Sequence, residues 1–207
     1  MSDVMRPIKF KHLLRWMVEE YQTQKSIFSI PEGKFYYKKD EAAFEIFGEK
    51  CETAIGPAAG PATQQAMNLA VSYVTGGRFF ELKTVQILDS LEIEKPCIDI
   101  PDEGYNTEWS TEFSVPQAFD EYVKGWFLVH VLKDMLGLSK LDERGFIFNM
   151  SVGYDLEGIK TPKIDNFIEG LKDAAKTEIF HECVADLKAA IEAGNVPNIT
   201  DPAFVDG

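Results

Sequence analysis

Between Pro7 and Gln24 the apolar residues Phe10, Leu13, Leu14, Met17, Val18 and Tyr21 recur at helical spacing, with Glu19 and Glu20 expected to point outward. This pattern predicts an amphipathic helix opened by Pro7. A turn-rich stretch follows, in which Phe28, Phe35, Tyr36 and Tyr37 need a surface to lie on. Phe44–Thr53 alternates apolar and polar residues around Gly48, which predicts a β-hairpin. Ala54–Pro61 then reads as an apolar strand ending in a small-residue loop. Thr63 is placed to cap a helix running to about Val74, stopped by Gly76 and Gly77.

The same grammar continues. Phe79–Val85 predicts a strand, and a long polar loop leads to an apolar helix over Pro116–Leu136. Gly145–Val152 predicts another strand, and Lys163–Ala174 and Glu178–Ala193 two further helices. Strand and helix alternate, so the fold class is α/β, a parallel sheet with helices outside. Such sheets close either as open doubly wound folds or as (β/α) barrels. The open form carries phosphate-binding glycine motifs, GxGxxG or GxxxxGK[ST], and neither occurs here. The loop Gly56-Pro57-Ala58-Ala59-Gly60-Pro61 has prolines where those motifs need free N–H groups.

Charge narrows the possible partners. The 207 residues carry 21 Lys and Arg against 34 Asp and Glu, a formal net charge of -13. A surface that acidic repels phosphate backbones and anionic lipid, so nucleic-acid and membrane binding are not expected. No apolar run approaches the length of a membrane span, and Met1–Lys11 shows no signal-peptide stretch, so a soluble cytoplasmic protein is expected. Cys51, Cys97 and Cys183 lie far apart in sequence, as do His12, His130 and His181. That spacing offers neither a disulfide framework nor a metal site.

The stretch Phe44–Thr84 resembles the start of the flavin-binding barrel of dihydroorotate and dihydropyrimidine dehydrogenases. The likeness rests on the hairpin, Ile55-Gly56-Pro57-Ala58-Ala59-Gly60, the following helix, and Glu81-Leu82-Lys83-Thr84. It implies a hairpin plugging the barrel bottom, a turn Ala58-Ala59-Gly60 lying against FMN, and Lys83 with Thr84 beside the flavin ring. Small residues let backbone approach a flat ring, and a lysine stabilises negative charge on a reduced flavin. Longer strings (IFGEKCETAIGPAAGPATQQA, GGRFFELKTVQILD, IEKPCIDIPDEGYNTEWSTE and GFIFNMSVGYDLEGIKTPKIDNFIEGLKDA) are similar to the N-terminal part of the selenate reductase iron–sulfur subunit family. Members combine this barrel-like region with FAD/NAD(P)-type and iron–sulfur regions. The resemblance places Asn106 and Glu108, in Tyr105-Asn106-Thr107-Glu108, on a loop facing flavin and ligand. It places Ser151 at the barrel rim.

The chain is thus expected to hold the first half of a TIM barrel over 44–207, preceded by a helical and aromatic extension over 1–43. Three or four strands fit in 207 residues, whereas an eightfold barrel usually needs about 250. The resemblance implies a fragment of a multidomain flavo-iron–sulfur oxidoreductase. Ala58, Ala59, Gly60, Lys83, Thr84 and Ser151 would contact FMN, and Lys83, Asn106 and Glu108 would serve catalysis. FAD and the clusters would lie in the remainder. Partners would be that remainder or redox subunits, and the uncovered sheet would favour self-association. Two other readings stay open: a flavin-free barrel that scaffolds subunits, and a barrel enzyme such as an aldolase using Lys83 as a Schiff-base lysine.

Overall fold

The amphipathic stretch near the N-terminus forms α1 (Phe10–Gln24) and buries Phe10, Leu13, Leu14, Met17 and Val18. The computed structural model describes residues 6–84, 98–100, 104–106, 113–152 and 155–206. Pro7 does not open α1. The Ile8 carbonyl accepts a hydrogen bond from Lys124 Nζ at 2.8 Å, and Lys9, in extended conformation, is the first flanking residue. Glu20 departs from its expected outward position and is buried. Its Oε1 accepts hydrogen bonds from Ser26 Oγ and the Ser29 N–H, each at 2.6 Å. Those bonds brace the two-residue turn of a small hairpin, β1 (Ser26–Ile27) and β2 (Ile30–Pro31).

A second hairpin pairs β3 (Phe44–Ile46) with β4 (Glu49–Cys51), as the alternation predicts. Its turn residues Phe47 and Gly48 both have positive φ, 55° and 78°, the twist that suits a two-residue hairpin. The segment after it is not a strand. It nonetheless runs along the sheet, because the Ile55 carbonyl accepts from the Arg78 and Phe79 N–H groups and the Pro57 carbonyl from the Glu81 N–H. A Cβ at Gly56 would overlap the Phe79 carbonyl, so this approach requires glycine. Thr63 is not a helix cap. It sits within a 3-10 turn, Pro61–Gln64, where its hydroxyl donates to the Gly60 carbonyl and accepts from the Gly60 N–H, and α2 (Ala66–Val74) starts beyond it.

The central ladder is parallel. β5 (Phe79–Lys83) pairs with a later strand, Phe79 opposite Ile147 and Lys83 opposite Ser151. Between them the expected polar loop contains a hairpin of its own, β6 (Ile98–Ile100) with β7 (Gly104–Asn106). The crossover helix is α3 (Val115–Leu136), capped by Ser114 and Gln117 and closed by Gly137 at φ 62°. It leads into β8 (Ile147–Ser151), followed by α4 (Leu156–Ile159), α5 (Pro162–Lys172) and α6 (Glu178–Glu192).

Alternate residues of β5 and β8 face the helices. Phe80 meets Phe148 at 4.9 Å between ring centroids, and Trp126 of α3 closes on Phe148 at 5.3 Å. The N-terminal helix belongs to the same hydrophobic cluster as the sheet and α3: Phe10 packs edge-on against Phe127 at 5.8 Å. Among the described residues the strands form no closed barrel; two hydrogen-bonded strands and one flanking segment make an open arc.

Candidate functional site at the C-terminal end of the sheet

Period-two alternation puts Phe79, Glu81 and Lys83 of β5 on the face away from the helices. In register beside them stand Ile147, Asn149 and Ser151 of β8. A central parallel strand rarely spends positions on charged groups, so Glu81 and Lys83 mark this face as polar by design rather than by packing. Lys83 is the last residue of β5. Its carbonyl accepts the Tyr122 hydroxyl of α3 at 2.8 Å, which anchors the strand end to the helix layer. Thr84 follows directly and is buried.

The small-residue turn lies over the same end. The Ala59 N–H donates to Glu81 Oε2 at 3.2 Å, so the Glu81 carboxylate ties the turn to the strand that carries Lys83. Ala58 is exposed, Ala59 and Gly60 are half-buried, and a Cβ at Gly60 would meet nothing within 4 Å. Among the described residues nothing crowds that position, which leaves room beside Gly60 for a flat group. Ala58, Ala59, Gly60, Lys83, Thr84 and the backbone of Ser151 are therefore brought to one end of the sheet. Asn106 closes β7, in a ladder separate from β5–β8, opposite Ile98. Glu108 lies outside the described residues.

Glu81 and Asn149 escaped the reading from sequence. The signal was there: each is a polar residue interrupting an apolar strand, in Phe79-Phe80-Glu81-Leu82 and Phe146-Ile147-Phe148-Asn149. They also share parity with Lys83 once the strands are set in register.

At the opposite, N-terminal end of the strands the polar groups are sealed. Arg78 Nε donates to Glu52 Oε2 at 2.8 Å with both side chains fully buried. Glu52 Oε1 also accepts from Ser139 Oγ at 2.6 Å, and Arg78 Nη1 donates to the carbonyls of Tyr73 and Gly77. The guanidinium lies 3.9 Å from the Tyr73 ring centroid, and burial pushes the Tyr73 phenol well above its ordinary range.

On the helix side, a cleft of about 620 Å³ runs beside β8 and is lined by Leu82, Tyr122, Trp126, Phe148, Met150 and Ile168, among others. Arg144 stands at its rim, ion-paired with Glu49 and 4.9 Å from the Trp126 ring. His130, packed 4.9 Å from Trp126 and 5.1 Å from Phe146, is held neutral by burial, its pKa pushed down to about 4. Among the described residues no His, Cys, Asp and Glu side chains cluster as a metal site, and no helix is long and apolar enough to cross a membrane. The buried thiols of Cys51 and Cys183 are pushed up by desolvation, so neither is a poised nucleophile.

Comparison with known proteins fits this architecture. Residues 28–204 match the family described as "Oxidoreductase YgfK, N-terminal TIM-barrel domain". Two relatives from Escherichia coli, strains K12 and O157:H7, each named "Putative oxidoreductase YgfK", are 57% identical over 175 residues. The alignment takes in 84% of this chain but 17% of each relative, so the chain spans about a sixth of their length. No solved structure gives a significant match. The chain therefore belongs to the family of YgfK-type oxidoreductase N-terminal TIM-barrel domains.

Proposed function

We propose that this domain is the N-terminal part of a multidomain flavo-iron–sulfur oxidoreductase and that the C-terminal end of its sheet forms one side of an FMN electron-transfer site. The observation that carries the reading is the convergence of the open Ala58–Gly60 turn and Lys83, held together by the Glu81–Ala59 bond. An active site at the C-terminal ends of the strands is the general arrangement of (β/α) barrels. The residues present suit the ring of a flavin: small side chains leave room for a flat surface, and Lys83 ends a strand beside it. When bound, FMN would supply one- and two-electron transfer. Lys83 would place its ammonium near the ring edge that gains charge on reduction. Thr84 and Ser151 would flank it at the strand ends, and Asn106 and Glu108 would orient a ligand from the loop between β5 and α3. FAD and iron–sulfur clusters would reside in the remainder of the polypeptide, which with redox subunits would be the partner. Selenate reduction is the fate of the electrons that the family resemblance suggests.

A second reading, a flavin-free scaffold in the cytoplasm, draws on two features. The Ala59 N–H already has its acceptor in Glu81. Phe44, Phe47 and Ile55 are exposed at 56%, 78% and 70%, which suits contact with another domain or a second copy.

The deciding experiment is the visible spectrum of the full-length protein with and without Lys83→Ala, beside the 207-residue chain titrated with FMN. Flavin bands lost on Lys83→Ala support the electron-transfer site. A full-length protein whose flavin is accounted for entirely by FAD, and unchanged by Lys83→Ala, supports the scaffold. Sedimentation of the 207-residue chain tests self-association: a clean monomer that unfolds cooperatively would remove homo-oligomerisation.

A further inference from the structure

Glu20 is buried on α1, outside the residues of the proposed flavin site. Its Oε1 is fully used by Ser26 Oγ and the Ser29 N–H, while Oε2 is buried with no hydrogen-bond partner. Glu20 is only 7% exposed, and a carboxylate oxygen so buried is costly unless a donor satisfies it. The same side chain lines a cleft of about 760 Å³ between the C-terminal half of α1 and the β1–β2 hairpin. Trp16, 42% exposed, forms one wall; its ring is fixed edge-on by Phe28 at 5.1 Å. Glu19 and the hydroxyl-bearing Thr23, Ser26 and Ser29 also line it, with Gln24 and Pro31. The turn that holds this arrangement is strained: Phe28 and Ser29 have φ of 45° and 68°, a region that non-glycine residues rarely occupy.

We infer that this cleft is a binding site for a guanidinium group. The chemistry of the lining selects it. A carboxylate lacking a donor calls for N–H groups, a second carboxylate at Glu19 favours a positive charge, and an indole wall favours a flat cation stacked on it. Guanidinium meets all three requirements at once: it is planar, always charged, and presents several donors in a fixed fork. An arginine side chain of a partner segment and a free guanidino metabolite share this chemistry. The site is built largely from α1, which precedes the first residue matched by the family, and it stands apart from the Lys83 end of the sheet.

The test follows the Trp16 indole N–H of the 207-residue chain by nuclear magnetic resonance, assigned with Trp16→Phe. The probes are Nα-acetyl-L-arginine amide, its neutral citrulline isostere, the lysine analogue and free L-arginine. Saturable binding in the millimolar range is expected, with citrulline at least about tenfold weaker and lysine weaker than arginine. The tighter of acetyl-arginine amide and free arginine identifies the source as a partner's side chain or a metabolite. Glu20→Gln keeps a carbonyl to accept the Ser29 N–H and is expected to weaken arginine binding about tenfold or more. Glu19→Gln, which touches no buried bond, should weaken it severalfold and covers the case in which Glu20→Gln does not fold. No saturable shift at Trp16, equal binding of citrulline, or shifts unaltered in both variants would overturn the assignment.

Discussion

The two ends of one parallel sheet treat charge in opposite ways. At the N-terminal end, Arg78 and Glu52 are completely enclosed, and a hydroxyl, backbone carbonyls and an aromatic ring surround them, with Arg78 Nη2 and the Tyr73 hydroxyl left without a hydrogen-bond partner among the described residues. At the C-terminal end, Glu81 and Lys83 stand half-buried beneath a small-residue turn that no described residue crowds at Gly60. Removing two charges from water is compensated only by near-complete hydrogen bonding. The sealed end therefore reads as architecture, while the other end, only half-buried, incurs less of that desolvation cost. In (β/α) barrels the N-terminal ends of the strands serve stability and the C-terminal ends carry the chemistry.

That contrast can be broken most directly by mutation. Arg78→Met should cost about 3–5 kcal/mol, because it strands the buried Glu52 carboxylate. Lys83→Met should cost less than about 1 kcal/mol, since a half-exposed strand-end lysine gives up little on removal. Equal shifts in the urea midpoint for the two variants would erase the distinction between the ends.

Phe10→Ala comes close behind, at about 3–5 kcal/mol, because α1 is part of the core that supports both ends. Deleting residues 1–43 should lower the melting temperature sharply; an unchanged value would make the extension a free docking arm.

The pH response sharpens the picture of the layer between the ends. His130 has its pKa pushed down from 6.5 to about 4 by burial, so the unfolded chain binds the proton more readily. Stability is then complete above about pH 6.5 and declines as pH falls toward 4, by at most about 3 kcal/mol from this group. Urea midpoints at pH 7 and pH 4.5 should differ in the parent and differ less in His130→Leu. Glu81→Gln should also have a small effect, about 1 kcal/mol, because the amide oxygen still accepts the Ala59 N–H. A loss as large as that of Arg78→Met would move Glu81 into the architectural class.

Much of the chain order was legible without coordinates. The hairpin around Gly48, the crossover helix ending at Leu136 and the strand ending at Ser151 each follow from local periodicity and from glycine or capping residues near their ends. Errors gathered where distant bonds override local preference. Pro7 failed to start a helix because Lys124, far along the chain, holds the Ile8 carbonyl. Glu20 turned inward because Ser26 and Ser29 satisfy one of its oxygens. Of the proposed site, Ala58, Ala59, Gly60, Lys83 and Thr84 were legible from motif likeness, while Glu81 and Asn149 became visible only through the register of β5 against β8.

The sequence by itself determined the alternation of strand and helix and the small-residue turn, which depend on neighbours within a few residues, and the acidic character, which depends on composition alone. Tertiary structure alone decided which charges are sealed and which stand open. That choice depends on partners such as Arg78 and Glu52, 26 residues apart, whose meeting is set by how strands and helices pack and by the cost of taking a charge out of water.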